Sequence, residues 1–146
     1  MSAKKTIAVS VLMQAGNQVH ADIRGHQVTI DQPVAAGGSD AGPTPLEFFL
    51  FSLGGCIASI ARLAATQQKI ALRSIAVDVT ADLNPAGLLG KPSTDRVGFQ
   101  QLNVTARIDA DLTDAEKQVF LDAVCARCPL HDNIQLETAV AHHLER

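Results

Sequence analysis

The chain has 146 residues, 47% of them hydrophobic and 18% charged. That is one domain of ordinary size with apolar side chains enough for a real core, which excludes a disordered chain. Aromatics amount to 3%, with no Trp or Tyr, and the formal net charge is -3. Neither a base-stacking platform nor a basic stripe for phosphates is present, so nucleic acid is not expected as a partner.

The chain opens Met1-Ser2-Ala3-Lys4-Lys5 without a secretory pattern, because the apolar stretch that follows is short and alternates with polar residues. The expected compartment is the reducing cytoplasm, where three cysteines read as free thiols and not as a structural staple. The alternation predicts a strand over Thr6–Gln14. Ala15-Gly16-Asn17-Gln18 signals a turn, and Val19–Ile23 and Gln27–Asp31 read as two more strands around the turn Arg24-Gly25-His26, an antiparallel meander. Asp31 and Asp40 read as turn formers. Gln32–Thr44 is a loop, with Pro33, Gly37-Gly38, Gly42 and Pro43 as its punctuation.

Thr44-Pro45-Leu46-Glu47 marks the start of a helix. Thr44 is placed to cap, Pro45 suits the first helical position, and Glu47 stands three after the cap as in a capping box. The helix is predicted to run to Gln67 or Gln68. From Phe48 to Ala61 it has 14 uncharged residues, short of the roughly 20 that a membrane span needs. Glu47 and Arg62 bracket that stretch, so the reading is a core helix and no membrane association. Its first half is apolar all round, which predicts cover by a sheet on one side and by a partner subunit on another. Gly54-Gly55 inside it are unfavourable by roughly 1 kcal/mol each against Ala. With Ala58, Ala61 and Ala65, Gly54 forms a small-residue ridge suited to close packing.

Ser74–Leu83 and Phe99–Ile108 alternate strongly and are predicted to pair as a long hairpin across the polar loop Asn84–Gly98. Thr113 and Glu116 form a second capping box, for a helix over Asp114–Cys125 with Val119, Phe120 and Ala123 on its apolar face. Pro129 ends that helix near Arg127, and Leu136–Leu144 reads as a final strand. There are no repeats and no second domain. The expected architecture is α+β, one domain over 1–146.

Cys56 lies in the most apolar part of the chain. It is either a small buried hydrophobe or a functional thiol, and a functional thiol needs an electropositive or hydrogen-bonding neighbour. Cys125-Ala126-Arg127-Cys128 is a C-x-x-C motif. Zinc needs two further ligands, and only His131, His142 and His143 follow nearby. A thioredoxin-type pair opens a helix, whereas this one closes a helix. If a short helix begins at Pro129, Cys128 takes its N-cap position, where free N–H groups favour a thiolate. Arg24, Arg62 and Arg127 read as surface charges. No phosphate loop or nucleophile elbow appears, and no cofactor is expected.

Together, Asp31-Gln32-Pro33, Gly37-Gly38, Gly42-Pro43-Thr44-Pro45-Leu46-Glu47, Leu53-Gly54-Gly55-Cys56 and Cys128-Pro129-Leu130-His131 resemble the OsmC/Ohr family of thiol-dependent hydroperoxide reductases, in its OsmC-like branch. The resemblance implies a long central helix packed on a curved antiparallel sheet, in an intertwined homodimer. It implies that Cys56 is peroxidatic and Cys128 resolving, with a Glu and an Arg beside the reactive thiol, for which Glu47 and Arg24 are the nearest matches. In the hydroperoxide reductases that Glu directly follows the Pro, where this chain has Leu46. Cys125 has no counterpart in the usual pattern and is either structural or an alternative resolving thiol. The implied activity is reduction of organic hydroperoxides in oxidative-stress defence, with an external dithiol as reductant. The rival readings are a non-catalytic module binding a small hydrophobic ligand in an apolar interfacial pocket, and a metal-binding or structural protein built on Cys125, Cys128 and His131.

Overall fold

The computed structural model describes residues 3–146; Met1 and Ser2, part of the start read above, lie outside the described residues. The chain divides into two compact units, Met1–Phe49 and Leu50–Arg146.

The first unit is an antiparallel meander of β1 (Val11–Met13), β2 (Val19–Ile23) and β3 (His26–Ile30), in the order β1-β2-β3. Ile23 pairs with His26, which leaves Arg24-Gly25 as a two-residue turn. Both turn residues have positive φ, 54° and 87°, the mirror-image turn that matches strand twist. The Asp22 carboxylate accepts the Gly25 N–H at 2.7 Å and so fixes that turn. β1 is shorter than the expected Thr6–Gln14. Its register sets Val11 against Ala21, and β2 ends at Ile23, so residues before Val11 soon outrun any ladder partner in the sheet.

The loop after β3 is organised by Asp31, whose side chain is 1% exposed. Its carboxylate accepts the N–H groups of Gln32 at 2.7 Å, Ser39 at 3.1 Å and Ala41 at 3.0 Å. Its own N–H donates to Pro43 O at 3.1 Å. A buried carboxylate is tolerated when its lone pairs are filled in this way. The loop folds back so tightly that a Cβ on Gly38 would stand 2.0 Å from Gln32 O, and one on Gly42 2.2 Å from Thr29 O. Only glycine fits either place.

The second unit contains most of α1 (Pro45–Gln68), β4 (Ser74–Asp82), β5 (Gln101–Asp109), α2 (Asp114–Ala126) and α3 (Pro129–Gln135). β4 and β5 form an antiparallel pair in continuous register from Ser74↔Asp109 to Asp82↔Gln101. Ile75, Val77 and Val79 on β4 and Leu102, Val104 and Ile108 on β5 pack against the core. The alternate residues face outward, where Arg107 pairs with Asp78. The expected hairpin is thus present, and among the described residues the antiparallel strands form two sheets, of three and two strands.

α1 has the length and apolarity of a membrane span, yet its stripe Leu53, Ile57, Ala61, Ala64 and Ala65 is buried in the core of this unit. The small-residue ridge explains the close seating. A Cβ on Gly54 would lie 3.3 Å from Val79 Cγ2 and 3.8 Å from Val77 Cγ1, while one on Gly55 would meet nothing within 4 Å. Two-sided burial is therefore not met within a single chain: one face is packed, and Leu63 on another is 46% exposed.

α2 starts with the predicted capping box. The Thr113 N–H donates to Glu116 Oε2 at 2.8 Å, and the Glu116 N–H donates to Thr113 Oγ1 at 3.2 Å. Its buried residues are Phe120 and Val124, with Leu121 and Cys125 packed beside them. Val119 and Ala123 are exposed, against expectation, because a choice of stripe one residue off turns the face by about 100°. Leu136–Leu144 is not a strand. The segment is exposed and carries no ladder, since alternation alone makes no strand without a neighbour to bond.

Two outcomes test these packing arguments. Gly54→Val forces branched carbons against Val79 and should destabilise the protein by about 1–3 kcal/mol in urea unfolding, whereas an unchanged midpoint would refute the close seating. Three N–H donors hold the Asp31 carboxyl below its ordinary value of 3.8, Ala41 contributing most. Its contribution to stability is complete above pH 3.8 and is lost as pH falls through the lower folded value. The stability gap between wild type and Asp31→Asn should therefore be constant near neutrality and shrink below about pH 4; a gap that did not change with acid would show that the carboxylate bonds contribute nothing.

Candidate active site

The site is built where α1 meets the α2–α3 corner, all within the second unit. Cys56 follows the close contact at Gly54 and directly precedes the fully buried Ile57. It therefore lies on the flank of the buried stripe and is half-buried. Cys128 arrives from the other side. α2 stops at Ala126, and α3 begins with Pro129 in its first turn, so Cys128 becomes the N-cap of α3. Proline suits that position because its missing N–H has no helical partner in any case. Cys128 is 1% exposed, and its Sγ accepts the His131 N–H at 3.4 Å.

The Cys128 side chain stands near enough to the Cys56 thiol to act on it. The Leu130 N–H, in the first turn of α3, donates to the Cys56 sulfur. Burial pushes the Cys56 thiol above the ordinary thiol range and the Cys128 side chain adds to that, while the Leu130 N–H pulls it down. The environment of Cys56 thus holds two opposed influences, desolvation against a backbone donor aimed at the sulfur. Sequence reasoning missed Leu130. Pro129 was the signal that could have revealed it, because a helix opening there must present unpaired N–H groups in its first turn.

Cys125 sits in the last turn of α2, half-buried. Burial pushes its thiol up, and the charges of Cys128 and Asp122 push in the same direction. Among the described residues, no group of three or more His, Cys, Asp or Glu is placed to hold a metal ion, so Cys125, Cys128 and His131 do not form a ligand set there.

Glu47 and Arg24 belong to the first unit. The Thr44 N–H donates to Glu47 Oε1 at 2.9 Å, and the Glu47 N–H donates to Thr44 Oγ1 at 3.2 Å. This is the capping box anticipated for α1, and the Thr44 N–H holds the Glu47 carboxyl below its ordinary value. Arg24 occupies the left-handed position of the β2–β3 turn. The ion pairs among the described residues join Arg73 to Asp109 and Asp111, and Arg107 to Asp78; none involves Glu47 or Arg24. Arg62, read as a surface charge, donates to Leu72 O at 2.7 Å and ties the end of α1 to the approach to β4.

Comparison with known proteins adds to this geometry. The chain is 24% identical over 130 residues to the hydroperoxide reductase of Mycoplasma genitalium, an alignment covering 89% of this chain and 87% of that protein. It is 26% identical over 109 residues to the hydroperoxide reductase of Mycoplasma pneumoniae, covering 75% and 72%. Its fold is similar to the crystal structure of an OsmC like protein from Mycoplasma pneumoniae, with a TM-score of 0.78 at 23% identity over 91% of this chain and 89% of that one. The family model for OsmC-like proteins matches residues 37–143, a stretch that takes in the second half of the loop after β3, α1 with Cys56 and the corner with Cys128. On that match, the chain belongs to the OsmC-like protein family.

Proposed function

We propose that this protein reduces organic hydroperoxides by thiol chemistry, with Cys56 as the attacking sulfur and Cys128 as the resolving one. The observation that carries this reading is the placing of the Cys128 side chain and the Leu130 N–H beside the Cys56 thiol, where both act on it. The hydroperoxide reductases among its relatives support it.

The Cys56 thiolate attacks the terminal oxygen of ROOH. The O–O bond breaks, the alkoxide takes up a proton and leaves as ROH, and Cys56 becomes a sulfenic acid. The Cys128 sulfur then attacks the Cys56 sulfur, the S–OH bond breaks, water leaves, and a disulfide remains. An external dithiol supplies two electrons and two protons to restore both thiols. Because burial disfavours the thiolate at Cys56, the reaction needs a cation beside it, and Arg24 is our candidate, oriented by Glu47. Such a cation both stabilises the thiolate and polarises the peroxide. The apolar residues of α1 around Cys56 favour an organic peroxide over hydrogen peroxide.

We further propose a homodimer as the working form. Ile7 in the first unit, and Val119, Val140 and Leu144 in the second, are 69–90% exposed, and the segments bearing Ile7 and Val140 have strand-like alternation without a ladder. A second copy supplies both an apolar cover and strand partners. Light scattering after gel filtration should give twice the mass of the chain, and a monomer at micromolar concentration would sink this assembly.

For the chemistry, hydroperoxide consumption with a dithiol reductant is the assay. Cys56→Ser should fall to background. Cys128→Ser should stall after one equivalent with a dimedone-reactive Cys56. Arg24→Ala should slow turnover at pH 7 by about tenfold or more, one thiol pKa unit, and move the rate profile to higher pH. Wild-type rates in Cys56→Ser would overturn the peroxidase reading, and an unmoved profile in Arg24→Ala would remove Arg24 from it.

A further inference from the structure

The third thiol has no part in the two-cysteine cycle, yet its position is well defined. The Cys128 N–H donates to Cys125 O at 3.2 Å. A turn closed in this way holds its first and fourth Cα atoms less than about 7 Å apart, and a disulfide bridges Cα atoms about 4.4–6.8 Å apart. Cys128 therefore neighbours both other thiols, Cys56 across the helix contact and Cys125 through the turn. It is also the sealed member of the three at 1% exposure, while Cys125 and Cys56 are half-buried.

We propose that Cys125 is a relay thiol that moves the disulfide from Cys56–Cys128 to Cys125–Cys128 before the reductant acts. The inference rests on the thiol-peroxidase reading above. The Cys125 thiolate attacks Cys128 Sγ, a Cys125–Cys128 bond forms, the Cys56–Cys128 bond breaks, and the departing Cys56 sulfur takes up the proton that Cys125 gave away. The exchange is neutral in electrons. The external dithiol then attacks Cys125 Sγ, Cys128 leaves as a thiol, and the second sulfur of the dithiol closes on the first to release Cys125. A reductant attacking Cys56–Cys128 directly has only the Cys56 side to enter, which is the side the hydroperoxide uses. Transfer to Cys125 separates the oxidising entrance from the reducing one.

The test maps disulfides by mass spectrometry at successive times after one equivalent of cumene hydroperoxide, and measures steady turnover with a dithiol. It uses the full-length protein and the variants Cys125→Ala and Cys125→Ser. The expected result is a Cys56–Cys128 bond giving way to Cys125–Cys128 in the wild type. Both variants should stay locked at Cys56–Cys128 and turn over about tenfold more slowly with the dithiol, since the reductant must then enter on the side the hydroperoxide uses. A wild type that keeps Cys125 alkylatable throughout, with variants turning over at its rate, overturns the relay and leaves the peroxidase reading standing. If the wild type consumes no hydroperoxide, that reading fails instead, and oxidation with diamide decides the relay alone: a Cys125–Cys128 bond upholds it, and an oxidised protein with free Cys125 overturns it.

Discussion

The contact on which the second unit depends is the seating of α1 on β4 at Gly54. Without a side chain there, the helix comes close enough for Val79 and Val77 to fill the space a Cβ would take. Leu53 and Ile57, on either side of it, are thereby buried, and the edge of that stripe is where Cys56 has to fall. A reactive thiol on a fully buried face could not be reached, and one on an open face would have no desolvated surroundings. The flank of a closely packed helix meets both demands with one geometric constraint.

The α2–α3 corner completes the arrangement by a different physics. A helix end leaves backbone groups without partners. Here the groups at the start of α3 are turned to use, the His131 N–H on Cys128 and the Leu130 N–H on Cys56. Pro129 makes this possible by stopping one helix and opening the next at a single residue. Two sulfurs that are 72 positions apart in the chain by their numbering, Cys56 and Cys128, thus meet under the control of one short turn of backbone.

Most of this was legible in the residues, and the exceptions have physical causes. Capping boxes are local, so Thr44 with Glu47 and Thr113 with Glu116 could be read directly. The β4–β5 hairpin was legible because its alternation runs without interruption over nine residues on each side. Cys128 as an N-cap followed from Pro129. What local pattern cannot carry is partnership. Leu136–Leu144 has the alternation of a strand but no ladder, and the residues before Val11 outrun β2. On α2, Val119 and Phe120 are equally apolar, and only packing decides that Phe120 is the one buried. The Leu130 donor escaped notice because a backbone N–H has no residue identity to read.

The loop that follows β3 has a consequence for how the chain can change in length. Asp31 gathers N–H groups from three places along it and also reaches Pro43, and Gly38 and Gly42 press directly on backbone. A residue added anywhere between those points would pull donors out of register with one carboxylate. The connection between β4 and β5 is bound differently, with no buried carboxylate at its centre: the part-buried Asn84 side chain donates to Asp95 and accepts the Ala86 N–H, and Leu88 and Leu89 are left exposed. Length variation, whether arising naturally or introduced as an affinity tag or a reporter, is therefore to be accommodated between β4 and β5 and refused between β3 and α1.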